Sequence, residues 1–300
     1  MKRKIVILSV ILIFSTLFIG CSKTHKEEFN EFENNIFGNG AVPDEIPNNV
    51  NDLGNDDTSF GTSIEDLGAY KGYFEEEIAD VTVTCISGTQ DSHKLEGNTL
   101  TFGAVSEDSV YSLSGKLKGN IVIDIGDEHK FELELQGFSL VSENGEPIKI
   151  LSGNEVSLKA KNGYENYVYD MRRVLDENET EQVAGAVYSE VDLEISGKGK
   201  LYVVSENNNG IRSKDDLQVK NLELTVICVD NALKGNDSVE IVGGKHTLIA
   251  SAGDGIKTSK SDVSEKGNQR GNVSICEGAV VDIYSACDGI DKRINKICKQ

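Results

Sequence analysis

One short phrase recurs in this chain with an acid or amide at a fixed place. It reads "NNNGIRSK" (207–214), "VDNALKGN" (229–236), "AGDGIKTS" (252–259) and "ACDGIDKR" (286–293). Aligning the four puts Asn209, Asn231, Asp254 and Asp288 at one position, and Asn208, Asp230, Gly253 and Cys287 just before it. The basic place holds Arg212, Lys234, Lys257 and Asp291. A second acidic set, Asp192, Asp216 and Ser238, opens each unit, with Asp215 and Asp237 one step earlier. If such units stack, carboxylates lie one strand apart, roughly 4.8 Å. Their repulsion is about 1 kcal/mol in water and about 3–4 kcal/mol at an effective dielectric of 20. A cation would offset it, and oxygen ligands at turns suit calcium, which takes six to eight oxygens in flexible geometry. The candidate metal ligands are therefore Asp215, Asp216, Asp230, Asn231, Asp237, Asp254 and Asp288. Two other accounts stay open: ion pairs with Arg212, Lys234 and Lys257, or an Asn/Asp ladder that satisfies turn amides. The same three cations are the candidate contacts for an acidic ligand.

The elements that must hold these residues are strands. From about residue 80 the chain runs in short apolar alternations broken by Gly, Asn, Asp and Ser, such as "NIVIDI", "LELTVICV" and "HTLIAS". Segment 170–182, "DMRRVLDENETEQ", is the one expected short helix or loop excursion. Ile211, Leu233 and Ile256 follow one another at 22 and 23 residues. Ile290 comes 34 later, across a polar insertion at 258–270. A strand-and-turn repeat this short implies a solenoid, because one unit cannot bury its own face. Leu193, Leu217, Val239 and Val273 should form one apolar column, and Ile211, Leu233, Ile256 and Ile290 another. A propeller blade needs about 40 residues, and a sandwich would not keep the turn register. The expectation is an all-β, parallel β-helix over 76–292. Gly210, Gly255 and Gly289 would turn the corner that decides where Asp254 points.

The chain has 300 residues, 50 acidic and 30 basic, for a net charge of −20. That balance argues against nucleic acid or an anionic membrane surface as a direct partner. The start, "MKRK" followed by "IVILSVILIFSTLFIG", reads as a signal segment over 1–20. The "CSK" that follows resembles the lipobox of bacterial lipoproteins, with Phe18 where Leu is usual. Cys21 would carry the lipid and fix the domain outside the cell membrane. Residues 21–75, with two of the three prolines, read as a flexible acidic linker, and 293–300 as an irregular tail. The remaining cysteines are irregularly spaced without a C-x-x-C pair, so neither a zinc site nor a disulfide framework is expected. There is no Trp. Tyr188, Tyr202 and Tyr284 fall at different repeat positions, which gives no aromatic column. The four His are read as surface or turn residues.

A run of stretches carries a resemblance: "YSLSGKLKGNIVID" (111–124), "LELQGFSL" (133–140), "AGAVYSEVDLEISGKGKLYV" (184–203), "NNGIRSKDDLQV" (208–219), "DNALKGNDSVEIVGG" (230–244) and "GDGIKTSKSD" followed by "KGN" (253–268). In that order they resemble the bacterial lipoproteins that carry a carbohydrate-binding domain, a right-handed parallel β-helix similar to pectate lyases. Glu190 and Val191 depart from the family pattern, and the strand pattern stops after Asp291, leaving an open apolar rung. The resemblance implies binding of plant cell-wall polysaccharide, cellulose or acidic pectin, with calcium on the helix and no catalysis. A calcium-dependent polysaccharide lyase and a structural or adhesive β-helix are the alternatives.

Overall fold

A computed structural model describes residues 79–172, 185–206, 208–265 and 267–293. The leader, Cys21 and the linker lie outside these residues, as does most of the 170–182 excursion. All regular structure among the described residues is β. Three strands precede the coil: β1 (Ala79–Ser87), β2 (His93–Glu96) and β3 (Thr99–Phe102). The first two rungs are β4 (Ser109–Lys118) with β5 (Asn120–Asp124), and β6 (Lys130–Ser142) with β7 (Ile148–Ser152). Three-stranded rungs follow. They are β8 (Glu155–Ala160), β9 (Glu165–Asp170) and β10 (Gly185–Ser189), then β11 (Leu193–Gly197), β12 (Lys200–Ser205) and β13 (Asn209–Ser213). Next come β14 (Asp216–Lys220), β15 (Glu223–Cys228) and β16 (Leu233–Gly235), then β17 (Ser238–Val242), β18 (Gly244–Ala250) and β19 (Ile256–Thr258). The last described rung is β20 (Asn272–Ile275), β21 (Ala279–Ser285) and β22 (Ile290–Asp291).

Strands of successive rungs pair parallel, so the chain winds as a three-sided coil. The first lane runs β8, β11, β14, β17, β20 and the second β9, β12, β15, β18, β21. β4 and β6 each bend across both lanes and join them into one sheet of 13 strands. The third lane runs β5, β7, β10, β13, β16, β19, β22 within a sheet of 9. The expected columns stand in register: Leu193–Leu217–Val239–Val273 in the first lane and Ile211–Leu233–Ile256–Ile290 in the third. The side-chain period of two then sends every alternate residue outward.

Each corner has its own chemistry. Between first and second lanes every rung carries a left-handed residue, at Gly115, Gly137, Gly163, Gly197, Asn221, Gly243 (with Gly244 beside it) and Gly278. At six rungs it is Gly, which has no Cβ to clash there, and at the seventh it is Asn, the side chain that tolerates it best. The corner into the third lane differs from expectation. Neither Gly210 nor Gly255 is left-handed. A small residue is needed there for room: a Cβ on Gly255 would collide with Ile283 Cγ2, and one on Gly210 with Val226 Cγ1.

The two ends are unlike. At the start, β1 lies antiparallel on β4 and the β2–β3 hairpin covers β5. Phe102, Tyr111 and Phe131 plug the interior beneath them, with Phe102 and Phe131 ring centroids 5.1 Å apart. At the far end, among the described residues, no strand pairs with the outer edges of β20, β21 or β22. Ile275 and Ile290 are in register with the fully buried Ile241 and Ile256, yet each is 40% exposed. Of the described cysteines, only Cys228 is buried.

The reading of all four His as surface or turn residues fails at His246. It faces the interior, fully buried, between Leu224 and Val281 in register. Its Nε2 lies 2.8 Å from the Gly243 carbonyl, and its Nδ1 has no partner. Charged residues on the strands around it, Glu223, Glu240, Lys245 and Asp282, stand at outward positions. Burial pushes its pKa down, against the Gly243 bond that raises it. The unfolded chain therefore binds a proton that the folded chain refuses, and stability falls as pH drops through about 6.5. Melting temperature should fall more steeply between pH 7.5 and 5 in the native protein than in His246→Leu. Parallel curves for the two would show that His246 does not set this slope.

Candidate binding face

The third lane puts the phrase's basic place on its outer surface. Ile148, Val187, Ile211, Leu233 and Ile256 fill the interior, so the next residue of each strand points out. The outward column reads Lys149, Tyr188, Arg212, Lys234, Lys257 and Asp291, one residue per rung. Arg212, Lys234 and Lys257, the three predicted ligand contacts, thus lie in one line, joined by Lys149 and Tyr188, which the repeat phrase does not contain.

The cations of this line differ in their partners. Lys149 pairs with Glu146 at 3.4 Å. Lys257 pairs with Asp254 at 2.6 Å and with Asp291 at 3.3 Å. Burial works against the charge of Lys257, but these bonds hold its pKa above the usual lysine value. Among the described residues neither Arg212 nor Lys234 has a carboxylate within ion-pair distance. Arg212 rests beside the Tyr188 ring, its guanidinium carbon 5.8 Å from the centroid, and its Nε is buried without a hydrogen-bond partner. Lys214 Nζ also lies 5.8 Å from that ring and pairs with Glu190 at 2.6 Å. The Tyr188 hydroxyl donates to Glu190, which gives the departing residue Glu190 a role. Burial pushes the pKa of Lys234 down, and Arg212 and Lys257 add to this while Asp230 and Asp254 oppose it.

The amide and acid position at the corner forms a hydrogen-bonded ladder. Asn209 Oδ1 accepts from Asn231 Nδ2 at 2.8 Å, and Asn231 Oδ1 accepts the Asp254 N–H at 3.2 Å. Asp254 Oδ1 accepts the Asp288 N–H at 2.9 Å, while its Oδ2 holds Lys257. Asn209, Asn231 and Asp254 are buried, and Asp288 is exposed. The position read first as a source of calcium ligands is thus taken up by turn amides and a lysine.

The other acidic set lies at the corner between third and first lanes. Asp192 accepts the Asp216 N–H at 3.2 Å, and Asp216 accepts from Ser238 Oγ at 2.6 Å. The 258–270 insertion reaches back over them. Its Lys260 pairs with Asp237 at 2.6 Å, and its Arg270 with Asp237 at 3.5 Å and with Asp262. The candidate calcium ligands are therefore split between two corners, where Asn231 and Asp254 hold amides, Asp216 a hydroxyl, and Asp237, Asp215 and Asp254 cations. Among the described residues no group of three or more His, Cys, Asp or Glu is placed to hold a metal ion. As they stand, these residues are not gathered into one calcium site.

Burial first, then Asp216, Asp215 and Asp237, push the pKa of Asp192 up, against the Asp216 N–H that lowers it. The folded state binds this proton more tightly than the unfolded one, so the charged form costs stability above the ordinary carboxylate range. Asp192→Asn keeps the acceptor for Asp216 N–H and removes one charge. Asp192 is exposed, so solvent screens most of this repulsion, and at pH 7 and low salt the variant should raise the melting temperature by about 1 °C. The gain should shrink in 1 M salt, on the order of a 3 Å screening length. A lowered melting temperature would show that the carboxylate is needed at this corner.

Tyr188, Tyr202 and Tyr284 stand in three different columns, as expected, but Tyr202 has an aromatic neighbour on the rung before it. Tyr167 and Tyr202 are in register on the outer surface of the second lane and stack at 4.8 Å. The next column is Tyr169, Val204, Ile227, Ile249 and Tyr284. Tyr202, Val204 and Ile227 are buried and form a second apolar cluster outside the coil's interior.

Comparisons with known proteins agree with this architecture. A family model described as carbohydrate-binding domain-containing protein matches residues 96–299. A carbohydrate-binding domain-containing protein of Acetivibrio thermocellus is 34% identical over 124 residues, covering 41% of this chain. The chain spans 43% of that relative's length. The solved structure of a polysaccharide lyase-like protein from C. thermocellum, a gadolinium derivative, is similar with a TM-score of 0.58 at 26% identity. That likeness covers 68% of this chain and 88% of the other. The chain belongs to the family of carbohydrate-binding domain-containing proteins.

Proposed function

We propose that this protein binds an acidic polysaccharide along the outer surface of the third lane, without cleaving it. We read the coil as right-handed, the hand that parallel strands joined by crossovers almost always take. The single observation that carries the functional reading is the pair Arg212 and Lys234. They lie on adjacent rungs with no carboxylate partner among the described residues, in a chain with 20 more acids than bases. Two cations one rung apart repel by about 1 kcal/mol in water and by about 3–4 kcal/mol at an effective dielectric of 20. Anionic groups of a polymer laid along the coil axis offset that cost. The family assignment supports carbohydrate as the ligand. We read Cys21 as the lipid-bearing residue that would place this face outside the cell membrane.

A second reading, polysaccharide lyase, is favoured by Lys234. A lysine pushed toward its neutral form beside two cations is a Brønsted base, and Arg212 stands next to it to neutralise a substrate carboxylate. The similar structure named polysaccharide lyase-like supports the same reading.

Titration calorimetry with polygalacturonate separates the readings. The native protein should bind it, bind neutral cellulose oligomers far more weakly, and keep its affinity in a chelator, because side chains supply the positive charge. Arg212→Ala with Lys234→Ala should weaken binding at least tenfold, since a charge-assisted hydrogen bond contributes about 1.5–3 kcal/mol. Equal binding of neutral and acidic polymers, or an unaffected double variant, would sink the proposal. Appearance of an unsaturated uronate product in ultraviolet absorbance would replace binding with elimination.

A further inference from the structure

The outward column holds four cations, but only two are unspent. Lys149 is held by Glu146 at one end, and Lys257 by Asp254 and Asp291 at the other. Arg212 and Lys234 remain between them. Given the acidic-polymer reading on which this rests, we infer that the face recognises two neighbouring anionic groups spaced one rung apart, with Arg212 and Lys234 as the residues that read them. The ligand class is then a run of contiguous acid sugars, and a polymer whose acids are isolated or esterified fits poorly.

Three observations set that specificity. The two side chains leave strands joined by backbone hydrogen bonds, with Arg212 directly over Lys234 in register, so the spacing of their origins is fixed near the inter-strand value, roughly 4.8 Å. Arg212 is held on one side by the Tyr188 ring, which in turn is tied through its hydroxyl to Glu190 and Lys214. Carboxylates close both ends of the line, Glu146 beside Lys149 and Asp291 beyond Lys257, so a third or fourth anion meets cations already paired or an acid outright. The two sites are also coupled. Lys234 is half-buried and its proton affinity is lowered by burial and by its cationic neighbours. An anion at Arg212 removes part of that penalty, so Lys234 gains its proton more readily and the second anion binds to a fully charged lysine.

The test uses the full chain and galacturonate monomer, dimer, trimer and polymer as probes in titration calorimetry. Affinity should step up at least tenfold from monomer to dimer and change little from dimer to trimer. Lys234→Met, which keeps the apolar stem, should abolish the step. Lys234→Arg should keep the step. In buffers of different ionisation heat at alkaline pH, dimer binding should take up protons in the native protein and take up none in Lys234→Arg. Melting curves of both variants that overlay the native one show an intact fold. If the polymer binds but affinity climbs evenly from monomer to trimer, or Lys234→Met keeps the step, the two-anion inference is wrong and acidic-polymer binding stands. If no uronate of any length binds, both fall together.

Discussion

The constraint on which everything else rests is the parallel hydrogen-bond register between rungs. Each strand takes both its backbone partners from the rungs before and after it, so equivalent residues must lie above one another at one spacing. A residue type suited to its place is therefore repeated, and a residue that is unsuited meets its own kind. Apolar side chains gain from this, and Ile211, Leu233 and Ile256 are fully buried as a column. Amides gain as well, because Asn209 and Asn231 each pass a bond to the next rung. Charges lose unless something intervenes. The outer surfaces show the remedies: Lys159 set against Glu132 and Glu134, Lys220 against Glu194, and Lys200 against Glu165.

The corners translate the same register into composition. A left-handed residue stands at every rung between first and second lanes, and Gly or Asn fills that place at all seven rungs. The corner into the third lane asks for a small residue because the next rung passes close by, and Gly210, Ala232 and Gly255 satisfy it. Together these corners fix the angle at which each lane faces water. They decide that Lys234 points outward while its neighbour Leu233 fills the interior.

Much of this was readable in the residues. Periodic Leu, Val and Ile between polar turns gave the two apolar columns and the rung length, since period and burial share one cause. The alignment of Arg212, Lys234 and Lys257 followed from the same register. What the residues concealed was direction and partnership. For Asp254 in "GDGIK" the residues leave a cation, Lys257 and turn amides open as partners, and only the corner geometry shows that a peptide N–H and Lys257 both converge on it. Gly255 reads as a conformational need, although its cause is Ile283, 28 positions away. Tyr167 and Tyr202 are 35 apart because the excursion between them breaks the period, so their stacking escapes any search for a regular repeat. His246 occupies a place where Leu201 and Leu224 precede it, and only the strand pairing shows that it points inward.

The net charge of −20 and a cationic face are consistent with each other. Among the described residues many basic side chains pair with acids on the neighbouring rung, which lowers self-repulsion along the coil. A pair left out of that exchange forms a local positive spot in a negative field, and a long-range field of the wrong sign slows approach of a polyanion. Selectivity then comes from the contact itself. A ligand must place its anions where Arg212 and Lys234 stand and keep the rest of its charge away from Asp291 and the acidic corners. A run of two neighbouring acids at the spacing of the rungs meets both conditions, whereas a longer rigid line sets its further anions against cations already paired and against Asp291.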